Sequence, residues 1–538
     1  MTAEAQTSPL ASELTRVAGG SKPDARPLDG HRTRLAAWQP TLISALPVVA
    51  VLGLAAILRF WQLDKVGFNS DEAVYSGTAA SLAGNDVMRS MFPIFRAHPL
   101  FMQILLSFGM HDGISDWVAR AINATIGVAT VGATYLLGRR LYGHKVGLVA
   151  CLLLAVMPYH VIVSRQVLLD GLMTLCTTLV LYCAVRYVES GALPWMVATS
   201  ALMGAAVLSK ETSIVMVGAL YAFFALTPTV RLRLRHVGIG LLVMSGVIIA
   251  FPLALSLSGR VSAGQHYLLW QLFRRSNHET LFYFHVVPGA LGWATVVAAA
   301  VALVWLRLEN TWRERLLILW IVVPTVFFSL WPVKGFQYLL PIAPVVALLA
   351  GRALARVSTV AALRRRRAGE LAMPALVVAV MLSLLLPTWQ RISPSTSGRY
   401  LAGTGGLPGG REAGRWVHDN VPADAQLLAI GPSMANVLQF YGQRRVFALS
   451  VSPDPANRNP AYLPVPNPDF SVRQGKFRYL VWDSYSANRS PSFGEKVTRL
   501  VDKYHGVAVF TSSVIVRSKA GQPVAAPVVV IYRVRTSR

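Results

Sequence analysis

Asp71 and Glu72 stand side by side in VGFNSDEAVYSGTAASLAGN, residues 66–85, directly after the first long apolar run of the chain. A carboxylate within hydrogen-bond reach of a hydroxyl can take its proton as the oxygen becomes a nucleophile. Other charged groups lie at the margins of further apolar runs: His98 in FRAHPLF, Arg120, Arg165 and Asp170 in VSRQVLLD, Lys210 with Glu211 in LSKETS, and Lys334 in WPVKGFQYLLP. A charge left unpaired in hydrocarbon costs several kcal/mol, so charges at such depths are candidates for function. Carboxylates, a histidine and several cations together read as a base facing an anion. Phosphate is an anion that Arg and Lys commonly hold.

Each residue also has a plainer role. Asp71 and Glu72 suit the first turn of a helix capped by Ser70. Neighbouring helical residues point about 100° apart, so the two carboxylates are not expected to share one task. Arg165 and Asp170 can pair structurally, and Lys210 and Lys334 can snorkel toward headgroups. Their joint placement is what favours the functional reading.

The elements that must bring these residues together are helices in a bilayer. Apolar runs of about 20 residues or more, enough for one crossing, begin near residues 41, 117, 146, 167, 236, 284, 315, 336 and 373. The stretch 195–226 is interrupted by LSKETS and reads as one tilted helix or two shorter ones. Basic loops decide between them. Arg and Lys near span ends favour the cytoplasm. The loops 139–145, 231–235, 307–315 and 352–367 all fall on that side only if the N-terminus is inside and 195–226 passes twice. That gives about eleven spans and places Asp71, His98, Lys210 and Lys334 at one outer level.

Composition agrees. Of 538 residues, 54% are hydrophobic and only 14% charged, against about a quarter charged in soluble proteins. The net charge of +26 is gathered in short clusters between apolar runs, with no basic face carrying interleaved aromatics, so nucleic acid is not an expected partner. The three cysteines, Cys151, Cys176 and Cys183, lie inside apolar runs without CxxC spacing, which argues against a disulfide or metal framework. No Asp-x-Asp motif occurs in the outer loops, which leaves a divalent metal open but unsupported and no cofactor certain. Residues 1–36 read as a disordered cytoplasmic arm, 37–390 as the membrane domain with the first outer loop at 63–116, and 391–538 as a small extracytoplasmic α/β domain. In that tail AQLLAIG, FRYLVWD and VVVIYRV alternate with helix-like GREAGRWVHDNV and FGEKVTRLVDKY. It opens with a Gly/Ser/Pro linker, SPSTSGRYLAGTGGLPGG.

In order along residues 41–390, DEAVYSGTAASLAG, HPLFMQILL, VARAINATIGVATVGATYLLGRRLYG, SRQVLLDGLMTLCTTLVLY, LSKET and SLWPVKGFQYLLPIAPVVALLAG resemble the GT-C membrane glycosyltransferases. Within that superfamily the chain is most similar to the branch of protein O-mannosyltransferases and aminoarabinose transferases. The resemblance implies an inverting hexosyl- or pentosyltransferase in the plasma membrane. It would move a sugar from a polyprenyl-phosphate donor to an acceptor hydroxyl of a protein, lipid or glycan on the outer face. By similarity Asp71 matches the acidic residue of the first loop that acts on the acceptor hydroxyl. Arg165, Lys210 and Lys334 are candidates to hold the lipid phosphate, with Tyr338 a turn beyond Lys334. The chain departs from both sub-branches at FRAHPL, which lacks the Glu-Lys-Pro of the aminoarabinose enzymes and the second proline of His-Pro-Pro-Leu. Donor sugar and acceptor therefore stay open. A transporter or flippase of envelope precursors is the rival expectation, since it too needs intramembrane charge. The outer domain and the missing internal repeats count against it.

Overall fold

The computed structural model describes residues 32–95, 98–111, 113–259, 267, 269–273, 276–309, 311–364, 366–393, 406–517 and 521–535. Residues 1–31 of the expected N-terminal arm and most of the expected linker, residues 394–405, lie outside these; residues 32–36, expected to be disordered, begin a helix. Residues 1–46 and 47–538 form separate units; apart from the start of the first helix, everything below concerns the second.

Helix α1 (Arg32–Phe60) leads into three short helices, α2 (Ser70–Leu82), α3 (Asp86–Met91) and α4 (Phe101–Ser107). They occupy the expected first loop. Helix α4 buries Met102 and Leu106 and exposes Ile104, with Phe108 exposed just beyond its end, the two-faced pattern of an interfacial segment. Helix α5 (Asp116–Tyr142) is capped by Ser115, whose hydroxyl accepts from the Val118 amide, and ends on Arg139 and Arg140. An acid in the first turn and bases in the last complement the helix dipole.

Helices α6 (His144–Val156) and α7 (Pro158–Ser164) meet at a 60° bend. Pro158 stands at the first turn of α7, where its missing N–H starts a helix well and cannot continue one. Helix α8 (Leu169–Ser190) stops at Gly191, which takes the left-handed conformation at φ 63°. The awkward run after it is two helices, α9 (Leu193–Ser209) and α10 (Val215–Ala225). Between them Lys210 is extended (φ −157°, ψ 121°) and Glu211–Ile214 form one 3-10 turn.

Close approach in this bundle depends on small residues. A Cβ on Gly147 of α6 would stand 2.7 Å from the Arg139 amide nitrogen of α5. Among the described residues five helices are long and apolar enough to cross a membrane, or seven if each of two bent pairs is one span. The chain is thus a multi-pass helical membrane protein.

The tail builds a five-stranded sheet in the order β2-β1-β3-β5-β4, from β1 (Gln426–Ala429), β2 (Arg445–Ala448), β3 (Phe477–Asp483), β4 (Val507–Arg517) and β5 (Pro523–Arg533). β1 pairs in parallel with β2 and with β3. β5 runs antiparallel to both β3 and β4. Side chains alternate between faces along a strand. One face, with Leu428 and Leu480, packs on Val497, Leu500 and Val501 of the helix Pro491–Lys503. The other, with Leu427, Ala429 and Val481, shares a continuous core with Phe68 beside α2 and Met88 of α3. The sheet layer and the first loop are therefore one packed body.

Candidate functional site

Asn69, one residue before the expected cap Ser70, caps α2. Its side-chain oxygen accepts from the amides of Asp71 (2.9 Å) and Glu72 (3.0 Å). In return Glu72 accepts from the Asn69 amide at 3.0 Å, completing a capping box.

Glu72 is fully buried and all its bonding is internal. It accepts from Arg120 Nε at 2.7 Å and Nη2 at 2.8 Å, and from the Val167 amide at 3.1 Å. Arg120 also donates to the carbonyls of Leu63, Val66 and Gly67. These bonds fix the loop before α2 to α5 and to the α7–α8 junction. Buried charge is tolerated when paired and hydrogen-bonded in this way.

Asp71, turned away by the helical period, faces open space. Its carboxylate makes no hydrogen bond with a described residue. It lines a cavity of about 470 Å³ between the start of α2, Trp270 and the sheet layer. Partial loss of water in this recess raises its pKa above the ordinary value for aspartate. The charges of His98 and Lys210 oppose that rise, and Glu72 adds to it.

His98 is the residue whose charge most opposes the rise at Asp71. Its Nδ1 lies 3.0 Å from both Glu211 oxygens and its Nε2 3.0 Å from the Tyr267 hydroxyl. The ring meets Tyr75, one helical turn beyond Asp71, edge-on at 5.9 Å. Burial pushes the Tyr75 and Tyr267 phenols well above their usual range, so both stay protonated. Lys210 is 4% exposed and does not snorkel. It donates to both Asp170 oxygens, at 2.7 and 2.9 Å, and lies 4.1 Å from the Tyr338 ring centroid. Asp170 thus pairs with Lys210 and not with Arg165.

Arg165 donates to the carbonyls of Leu58 and Arg59 at the end of α1, each at 3.0 Å. Lys334, also buried, donates Nζ to the Trp331 carbonyl at 2.9 Å. Its backbone is clasped by the Asn277 side chain through two bonds of 2.8 Å. The structure therefore brings Asp71, His98, Asp170, Lys210 and Tyr338 into one electrostatic cluster. It gives Glu72, Arg165 and Lys334 bonds that serve the scaffold. Tyr75 and Tyr267 join the cluster from the structure alone, whereas Glu211 stands beside Lys210 among the boundary charges of the sequence and gains His98 as its partner. Of these Tyr75 had a signal, its spacing of four from Asp71 on a helix. Among the described residues no three His, Cys, Asp or Glu side chains converge as metal ligands.

The membrane helices and the mixed sheet together match the folds of solved membrane proteins. ArnT from Cupriavidus metallidurans in the apo state superposes with a TM-score of 0.66 at 16% identity, covering 92% of this chain and 98% of that one. The same protein bound to undecaprenyl phosphate gives 0.65 at 17%, covering 90% and 98%. The archaeal oligosaccharyltransferase AglB from Archaeoglobus fulgidus gives 0.58 at 15%, covering 91% and 74%.

In sequence, residues 97–255 match the dolichyl-phosphate-mannose-protein mannosyltransferase profile. Residues 279–395 match the Alg9-like mannosyltransferase family. An undecaprenyl phosphate-alpha-4-amino-4-deoxy-L-arabinose arabinosyl transferase of Sodalis glossinidius is 36% identical over 115 residues, 19% of this chain and 20% of that protein. The matched part spans less than a quarter of the curated relatives' length. In fold and in motif the chain resembles the GT-C membrane glycosyltransferases.

Proposed function

We propose that this chain transfers a sugar, hexose or pentose, from a polyprenyl-phosphate donor to an acceptor hydroxyl, with inversion. The carrying observation is Asp71: it is the acid of the cluster whose carboxylate is left unbonded, and it stands at a cavity. The acceptor oxygen attacks the anomeric carbon from the face opposite the phosphate. As that C–O bond forms, the bond from the anomeric carbon to the phosphate oxygen breaks. The polyprenyl phosphate leaves with the electron pair, and the acceptor proton passes to Asp71. A single base suffices because no covalent sugar–enzyme intermediate forms.

The leaving phosphate is already an anion and needs cations more than an acid. Lys210 is best suited, since its charge already reaches Asp71. Lys210 gives two bonds to Asp170, Arg165 gives Nη1 to two backbone carbonyls and Lys334 gives one bond to the Trp331 carbonyl. No cofactor is required in this reading. Support for the lipid donor comes from the undecaprenyl phosphate held by the similarly folded ArnT. The basic loops support about eleven spans, a cytoplasmic N-terminus and a sheet layer outside the cytoplasm.

The test is transfer in detergent, where no gradient exists and a transporter produces no product. Wild type is incubated with mannosyl and aminoarabinosyl polyprenyl phosphates, and sugar-bearing acceptors are read by mass spectrometry. Folded Asp71→Asn should lose about 10²–10⁴-fold in turnover. Near-normal turnover removes Asp71 from the reaction.

A further inference from the structure

The cavity over Asp71 has a second wall that the donor chemistry does not use. It is built at the carboxyl ends of the three parallel strands. Ser433 follows β1, Ser450 and Ser452 follow β2, and Arg489 lies in the segment after β3. From β1 the chain goes to β2 on one side, and β3 then returns to the other side. That is a topological switch point, where open α/β sheets leave a crevice that binds ligands.

The wall is anchored to the catalytic helix. Asn436 donates to the Ser70 hydroxyl at 3.0 Å and to the Tyr462 hydroxyl at 2.9 Å. Its volume, about 470 Å³, falls within the roughly 300–1,000 Å³ of small-molecule sites. The lining is hydroxyls, amides and aromatic faces, the groups that suit a sugar.

Its charge is asymmetric. Asp71 is the one acid among the described lining residues, against Arg458 and Arg489. Arg458 donates to the Pro453 carbonyl at 2.9 Å, and Arg489 to the Tyr485 hydroxyl at 2.5 Å. The other donors of each guanidinium make no described hydrogen bond. Nearby, loss of water and then the charges of Lys334 and Arg489 hold His278 below the ordinary imidazole value. A positive field therefore extends along this side.

We infer that the crevice at the strand ends is the acceptor subsite and takes an anionic sugar, its carboxylate or phosphate held by Arg458 and Arg489 and its hydroxyl presented to Asp71. This rests on the reading of Asp71 as the base.

Calorimetry on the full chain in detergent tests it with three probes: methyl β-D-glucuronide, methyl β-D-glucoside 6-phosphate and neutral methyl β-D-glucoside. A charged probe should bind at least about tenfold tighter than the neutral one, the scale of a charge-assisted hydrogen bond. Preference for the uronide identifies a carboxylate sugar, and preference for the phosphate a phosphorylated one. Arg458→Gln with Arg489→Gln should abolish the preference, while Asp71→Asn should keep it and lose only transfer. Equal binding of all three probes by wild type overturns the proposal without any variant, as does a preference that survives both substitutions. Transfer by Asp71→Asn would instead overturn the base and leave the binding result standing.

Discussion

Glu72 and Arg120 form a two-pronged pair, Nε to Oε1 at 2.7 Å and Nη2 to Oε2 at 2.8 Å, with 0% and 4% of each residue exposed. The adjacent Asp71 is left unbonded. One carboxylate of the doublet therefore holds the helix while the other faces the cavity.

Removing one member of a buried pair strands the other charge and costs about 3–5 kcal/mol. Glu72→Ala should accordingly lower thermal stability in detergent by that order. Asp71→Asn should leave it nearly unchanged. Equal melting of Glu72→Ala and wild type would show that the pair does not anchor α2.

The raised Asp71 pKa sets a sign for pH dependence. A base must be deprotonated, so transfer should rise with pH through a value above that of free aspartate. Stability runs the other way: an acid whose folded pKa is raised contributes most at low pH and loses that contribution as pH climbs through the folded value. His98 lowers the Asp71 pKa, so His98→Gln should move the acid limb of the turnover profile to higher pH. An unmoved limb would assign it to another group.

Lys210 and Asp170 are both buried and joined by two hydrogen bonds. Lys210→Met or Asp170→Leu alone should destabilise by about 3–5 kcal/mol, and the double substitution should cost less than the sum. Additive melting losses would deny the coupling. Turnover should fall in every case, because the cation beside Asp71 is lost or loosened.

Gly147 packs where a Cβ would meet the Arg139 backbone at 2.7 Å. Overpacking of this kind costs about 1–3 kcal/mol. Gly147→Ala should melt earlier by that amount, whereas Ala at Gly53, which has nothing within 4 Å, should be silent.

Several of these features could be read from the chain. The apolar runs gave helices, and the basic loops demanded a break at Lys210, which is where α9 ends. Three tail segments chosen by their alternation, AQLLAIG, FRYLVWD and VVVIYRV, contain β1, β3 and most of β5. What stayed hidden is partnership over distance. Glu72 meets Arg120 48 positions away and the Val167 amide 95 away. His98 finds Glu211 across 113. Charge type places such groups near a boundary, but only packing selects the mate. β2 escaped notice because four residues, RVFA, carry too little pattern. The long β4 escaped because its exposed side chains mix polar and apolar types.

The apolar seam that joins the inner face of the sheet to Phe68 and Met88 limits how such proteins can diversify. A tail grafted from a cousin would arrive with the wrong knobs for the host's loop, so the two segments must change in concert. Ser450, Ser452 and Arg458 of the crevice lining lie outside that seam, so substitutions there should leave it undisturbed.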